Sequence, residues 1–238
     1  MKKAIIVGAS SGIGRALAKI LARDGYVVGL AARRLALLLE IQQEIGGGAL
    51  VKEIDVSQTA EAMARLSEFI AEMGGVELII ISAGTGFINP ELAWHKENET
   101  IAVNVAGFTA IANVAMHHFL ENGSGQLVNI SSIAALRGSG RAPAYNASKA
   151  FESNYLEGLR QKVAKLRLPI TVTDIQPGFV DTAMAQAESL FWVASPAKAA
   201  EQIHRAVRAG TKHAYITRRW RLVAWLFKVM PDWIYQRF

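Results

Sequence analysis

KAIIVGASSGIGRALAKILA, residues 3 to 22, passes from a short apolar, β-branched run through Gly8, Gly12 and Gly14 into a helical pattern. The reading is strand, turn, helix. Glycine permits a tight turn and a close approach of main chain to a ligand, and the free N–H groups that open a helix can receive a pyrophosphate. The spacing is GxxxGxG rather than the commoner GxGxxG, and a plain tight turn would satisfy it as well. Gly8 to Gly12 also match GxSxG, the turn that carries a nucleophilic serine, which would need acid and histidine partners later in the chain. A Walker A loop fails, because Gly12 follows Gly8 by four positions and Ile13 stands where the lysine belongs.

The next strand pattern ends Ala31-Ala32-Arg33-Arg34, about 20 residues beyond the turn, where an NAD-binding protein usually presents an acid to the ribose hydroxyls. Ala32 stands there instead, and two guanidiniums follow. Arginine forks match phosphate oxygens, so the pair favours NADP(H) over NAD(H); the alternative is that both side chains only solvate a strand end.

Outward from this unit, short strand patterns at 3–8, 26–32, 49–54, 76–82, 125–131, 169–176 and 213–217 alternate with helical ones such as 12–24, 59–73, 99–121, 145–166 and 196–209. Continuous apolar strands joined by helices predict an α/β fold, with one seven-stranded parallel sheet covered by helices on both faces. Ligands of such sheets bind beyond the carboxyl ends of the strands.

The chain has 238 residues, 51% of them hydrophobic, and carries no repeat or linker composition, so one compact domain is expected. Cysteine is absent, which excludes disulfides and thiolate metal sites and fits a reducing cytosol. MKKAIIVGA is too short in its apolar part for a signal peptide and reads as the first strand. The formal charge of +6 sits in residues 201–238, which hold eight Lys/Arg against Glu201 and Asp232. One basic tail suits an anionic membrane face or ligand, whereas a nucleic-acid groove would need a broader basic surface with stacking aromatics. No nucleic acid is therefore expected as a partner.

PAYNASKAF, residues 143 to 151, sets Tyr145 and Lys149 one helical turn apart on one face. A phenol is a weak acid or base at neutral pH, and a neighbouring ammonium favours its ionised form. Together with the glycine turn, Ser132 thirteen residues before Tyr145, and Pro177-Gly178, this pair makes the sequence resemble the classical short-chain dehydrogenase/reductase family over nearly its whole length. The resemblance implies a Rossmann-type doubly wound fold over 1–217, with 218–238 as a basic, aromatic helical extension of the same domain. It implies a cofactor turn at Gly8, Gly12 and Gly14, with Ser10, Ser11 and Ile13 near the phosphates. Asp55 and Val56 are then placed at the adenine, Ala83 and Gly84 under the adenosine ribose, and Pro177, Gly178, Val180 and Thr182 at the nicotinamide. Asn104, Ser132, Tyr145 and Lys149 match the catalytic positions. Val7 and Ile81-Ser82 depart from the family's threonine and paired asparagines.

The implied chemistry is hydride transfer between NADP(H) and a carbonyl or alcohol held by Ser132 and Tyr145. Tyr145 is the acid/base, and its proton returns through the ribose, Lys149 and a water positioned by Asn104. A silent NADPH-binding sensor with the same fold is the competing class. Phe87, Ile88, Ala134 to Arg141 and Asp181 to Val193 should border an apolar substrate, with Phe191 and Trp192 as a lid and Arg137 and Arg141 leaving room for an anionic group. A homodimer or homotetramer is expected. The terminal segment 218–238 should form a helix ended by Pro231, packing on protein or lying peripherally on a membrane.

Overall fold

Alternation along the strands sorts the core into two layers, and β1 (Lys3–Val7) shows how. Ile5 and Val7 point into one layer and Ala4 and Ile6 into the other, all fully buried. The computed structural model describes residues 1–46, 48–182 and 192–237. β1 is joined in one all-parallel sheet by β2 (Val27–Ala32), β3 (Leu50–Glu53), β4 (Leu78–Ile81), β5 (Gly125–Ile130), β6 (Ile170–Pro177) and β7 (His213–Ile216), in the order β3-β2-β1-β4-β5-β6-β7.

One face is covered by α3 (Thr59–Glu72), α5 (Phe108–Glu121) and α6 (Pro143–Leu166), which bury Leu66, Phe69, Ile111, Phe119 and Leu156. The other is covered by α1 (Gly12–Arg23), α2 (Leu35–Ile45) and α7 (Pro196–Arg208) through Leu17, Leu21, Leu38, Ile41 and Ile203. The strand order reverses between β1 and β4, which opens the crevice where such folds hold ligands.

Three elements differ from the expected outline. α2 was not anticipated, because LALLLEIQQEI is nearly continuous in apolar residues at its start and shows little helical period. The helix expected from residue 99 begins at Trp94, as α4 (Trp94–Ile101), whose polar sequence WHKENETI hides it. It continues through a π-helical turn, Ala102–Gly107, into α5. This rod has the length and hydropathy of a membrane span, but its most apolar window is 56% buried in the body, as a core helix is. At the end of the chain α8 (Trp220–Val229) stops before Pro231 as expected, and Pro231 then opens one further turn, α9 (Asp232–Tyr235).

Candidate active site

The glycine turn is fixed from both neighbouring strands. Gly8 N–H donates to Ala31 O at 2.7 Å, while the N–H groups of Ser82 and Ala83 donate to Val7 O at 2.7 and 2.9 Å. Gly8 and Gly12 lie in the left-handed region, at φ +93° and +54°. Gly14 is needed for contact: a Cβ there would sit 2.2 Å from Gly8 O, so the helix could not approach the strand. The first turn of α1 contains no acid. Arg34 reaches back across it, donating to Ser10 Oγ at 2.8 Å and Ser11 Oγ at 3.0 Å. That arrangement suits an anionic group at the turn. It also removes the nucleophile reading, since Ser10 Oγ accepts from Arg34 and no histidine among the described residues lines the cavity.

The cavity has a volume of about 600 Å³ and runs from Arg33 and Arg34 past the turn to Ser132, Tyr145 and Phe179. All the expected site residues line it except Gly14, Asp55 and Asn104. Asp55 accepts from Ser57 N at 3.0 Å and Ser57 Oγ at 2.8 Å, beside Val56, which does line the cavity.

Asn104 lies behind the cavity wall in the π-helical turn and is fully buried. Its Oδ1 accepts from Thr85 N at 2.9 Å, and its Nδ2 donates to Thr85 O at 2.7 Å and Ser148 Oγ at 3.0 Å. The side chain therefore ties the loop after β4 to α6. A π turn in this place is a frequent mark of a functional site.

Tyr145 and Lys149 share a face of α6, with Lys149 Nζ 6.0 Å from the tyrosine ring centroid. Ser132 ends the segment after β5, where its Oγ accepts from Ala134 N at 3.1 Å and caps the short helical turn Ile133–Leu136. The ring of Tyr145 lies against Gly86, where a Cβ would come within 2.4 Å of Cδ2.

A residue that sequence reasoning passed over completes the picture. Glu152 is buried behind Lys149 and accepts from its Nζ at 2.8 and 3.1 Å and from Asn129 Nδ2 at 2.8 Å. Lys149 Nζ also donates to Ile130 O at 3.3 Å. Burial pushes the Glu152 carboxyl up to about 7, with Lys149 and Asn129 restraining the rise. Burial alone would lower the Lys149 ammonium, but the charges of Glu152, Tyr145 and Asp174 more than offset it and raise it. An acid three residues after the lysine on a buried helix face was the available signal.

At the substrate end Phe87, Ile88, Ile133, Ala134 and Phe179 make an apolar wall, as expected in part from the sequence. Arg137 is not available to an anionic substrate. It donates to Asp232 Oδ1 at 2.6 Å and to the carbonyls of Phe227 and Met230, and its guanidinium lies 4.4 Å from the Tyr235 ring centroid. Arg141 is exposed and does not line the cavity. Phe191, proposed as half of a lid, lies outside the described residues, as do 183–190.

This fold, with the glycine turn, serine, tyrosine and lysine at one crevice, defines a nucleotide-dependent oxidoreductase scaffold. A short chain dehydrogenase family model matches residues 2–190. The chain belongs to the short-chain dehydrogenase/reductase family. An uncharacterized oxidoreductase of Myxococcus xanthus is 38% identical over 184 residues, covering 75% of this chain and 72% of the relative. An alcohol dehydrogenase from the archaeon Thermococcus sibiricus, solved with 5-hydroxy-NADP, is 25% identical with a TM-score of 0.80, covering 91% of this chain and 96% of that one. A short chain dehydrogenase/reductase from Burkholderia phymatum in complex with NAD shares the fold at a TM-score of 0.84 and 21% identity, covering 94% and 92%.

Proposed function

We propose that the protein is an NADP(H)-dependent oxidoreductase acting between an apolar carbonyl compound and its alcohol, with Tyr145 as acid/base. The observation that carries this reading is the meeting of Ser132, Tyr145 and Lys149 in one cavity whose far end is bounded by Arg34 and the glycine turn. The fit to a dinucleotide rests on the acid-free N-terminus of α1 and on the Arg34 guanidinium held beside Ser10 and Ser11. The Thermococcus structure, solved with 5-hydroxy-NADP, supports a pyridine dinucleotide, and the preference for the phosphorylated form rests on Arg33 and Arg34 alone. Gly8, Gly12 and Ile13 would hold the pyrophosphate, Arg33 and Arg34 a 2′-phosphate, Val56 the adenine side, and Val180 and Thr182 the nicotinamide side.

When bound, the nicotinamide supplies or accepts the hydride. The hydroxyls of Ser132 and Tyr145 hold the substrate oxygen, and Tyr145 gives up its proton as that oxygen gains charge. Lys149 stabilises the phenolate that remains, and the apolar wall of Phe87, Ile88 and Phe179 excludes water from the reacting carbon. Replacing Tyr145 with Phe should lower turnover by at least about 10²-fold while NADPH binding, followed by fluorescence, changes little. Normal turnover by that variant on an identified ketone would remove Tyr145 from its role.

A further inference from the structure

The outward side of α8 is apolar where a helix on a solvated body is ordinarily polar. Leu222, Trp225, Leu226 and Val229 follow an i, i+3, i+4, i+7 stripe and are 71, 65, 46 and 53% exposed, and Trp233 in α9 adds an indole that is 64% exposed. The inward side is already engaged, since Trp220 and Ala224 are buried against Ile133, Leu136 and Phe179. Arg221 and Lys228, seven residues apart, flank the stripe on one side, and both are exposed. Arg237 lies 5.6 Å from the ring centroid of Trp233. Residues 218–237 carry five cations and a single acid, Asp232, which is bound to Arg137.

We infer that this face docks on an anionic phospholipid bilayer, with α8 lying along the interface. Ten residues of helix span about 15 Å, half a hydrocarbon core, so the helix can lie on a bilayer but not cross it. An apolar stripe flanked by Arg and Lys, with indoles among the apolar groups, is the composition that interfacial helices use. The long cationic side chains keep their heads at the phosphates while their stems cover lipid. A second copy of the chain is a poorer occupant. Across a twofold contact Arg221 and Lys228 would approach their own equivalents, and Asp232 is already committed to Arg137.

Docking also positions the cavity. Trp220, on the inner side of α8, meets the ring of Phe179 edge-on at 5.2 Å, and Phe179 and Ile133 line the substrate end. Tyr235 Oη donates to Gly138 O at 2.6 Å, and Arg137 binds Asp232, so α8 and α9 are tied to the loop after Ser132. The substrate end therefore sits beside the lipid. Resting on the hydride-transfer reading, the substrate class is a lipophilic carbonyl compound or alcohol partitioned in the bilayer. Vesicle binding can fail without touching turnover of a water-soluble ketone, so the two readings fall separately.

The test is flotation of the full chain with vesicles of phosphatidylcholine alone or with about 30 mol% phosphatidylglycerol, where each cation contributes roughly fivefold to partitioning. Binding should be at least about tenfold tighter to the anionic vesicles, weaken with salt, and shift tryptophan emission to the blue. Trp225→Ser with Leu222→Ser, both on the exposed side, should lose most of it with unchanged NADPH binding. Arg221→Glu with Lys228→Glu should abolish the preference for anionic lipid. Equal binding to both vesicles, or no binding by the unmodified chain, overturns the inference. So does a dimer that the Trp225→Ser, Leu222→Ser variant dissociates in the absence of lipid.

Discussion

Lys149 Nζ lies 2.8 Å from Glu152 Oε1 and both side chains are buried, so the lysine that faces Tyr145 carries its own counterion at its back. The groups acting on Glu152 are Lys149 on α6, Asn129 on β5 and Asp174 on β6. Glu152 is the main charge that keeps the Lys149 ammonium raised against its burial. Replacing Glu152 with Gln should therefore move the falling, alkaline limb of turnover against pH to lower pH, as Lys149 loses its proton sooner, whereas Glu152→Asp, which keeps the charge, should shift it much less. A Gln variant with a lower rate but an unmoved profile would reduce Glu152 to packing.

The same carboxyl makes a prediction about stability. Its folded value of about 7 stands above its ordinary 4.5, so between these limits the folded chain keeps a proton that the unfolded chain has released. Its contribution to stability is therefore lost as pH rises through that window and levels off above it. Urea titrations at pH 5 and pH 8 should show the wild type losing roughly 1 to 3 kcal/mol relative to Glu152→Gln over that interval. A difference independent of pH would contradict the assignment.

The proposed preference for NADP(H) rests chiefly on Arg34. Its guanidinium holds the hydroxyls of Ser10 and Ser11 at 2.8 and 3.0 Å and lines the cavity where a ribose 2′-phosphate would come. Arg34→Ala should weaken NADPH binding about 10- to 100-fold, the worth of a charge-assisted bond, and change NADH binding by no more than about threefold. Equal losses for both nucleotides, measured by fluorescence titration, would return Arg34 to bracing the turn.

The seven strands were legible because each is a short β-branched run set off by helical periods, and none lies more than two residues from its expected bounds. Tyr145 and Lys149 were legible as a pair because four residues make about one helical turn, whereas Ser132 joined them only through the resemblance to the family. Glu152 was not legible, since its burial depends on Asn129 and Asp174 brought in from β5 and β6. Arg137 reads as a free cation beside the substrate until Asp232 and Tyr235, nearly a hundred residues on, are folded against it. Asn104 matched a pattern, but only the fold shows its amide spent on Thr85 and Ser148.

Gly86 sets how closely the loop after β4 may approach Tyr145, the proposed acid/base. Its φ lies outside the left-handed region, so alanine is acceptable to the backbone and the substitution tests contact alone. The added Cβ would stand 2.4 Å from Cδ2 and 2.8 Å from Cε2 of Tyr145, closer than carbon atoms pack, so the ring must move. The loop has little freedom to yield instead, because Asn104 holds Thr85 by two hydrogen bonds. A displacement of about 1 Å at a reacting group costs on the order of 10²-fold in rate. Gly86→Ala should therefore lower kcat by about that factor while NADPH binding stays within about threefold, because the glycine turn and Arg34 are untouched. Steady-state kinetics on a ketone, paired with NADPH titration, separates the two quantities; an unchanged kcat would mean that the ring yields without leaving its working position.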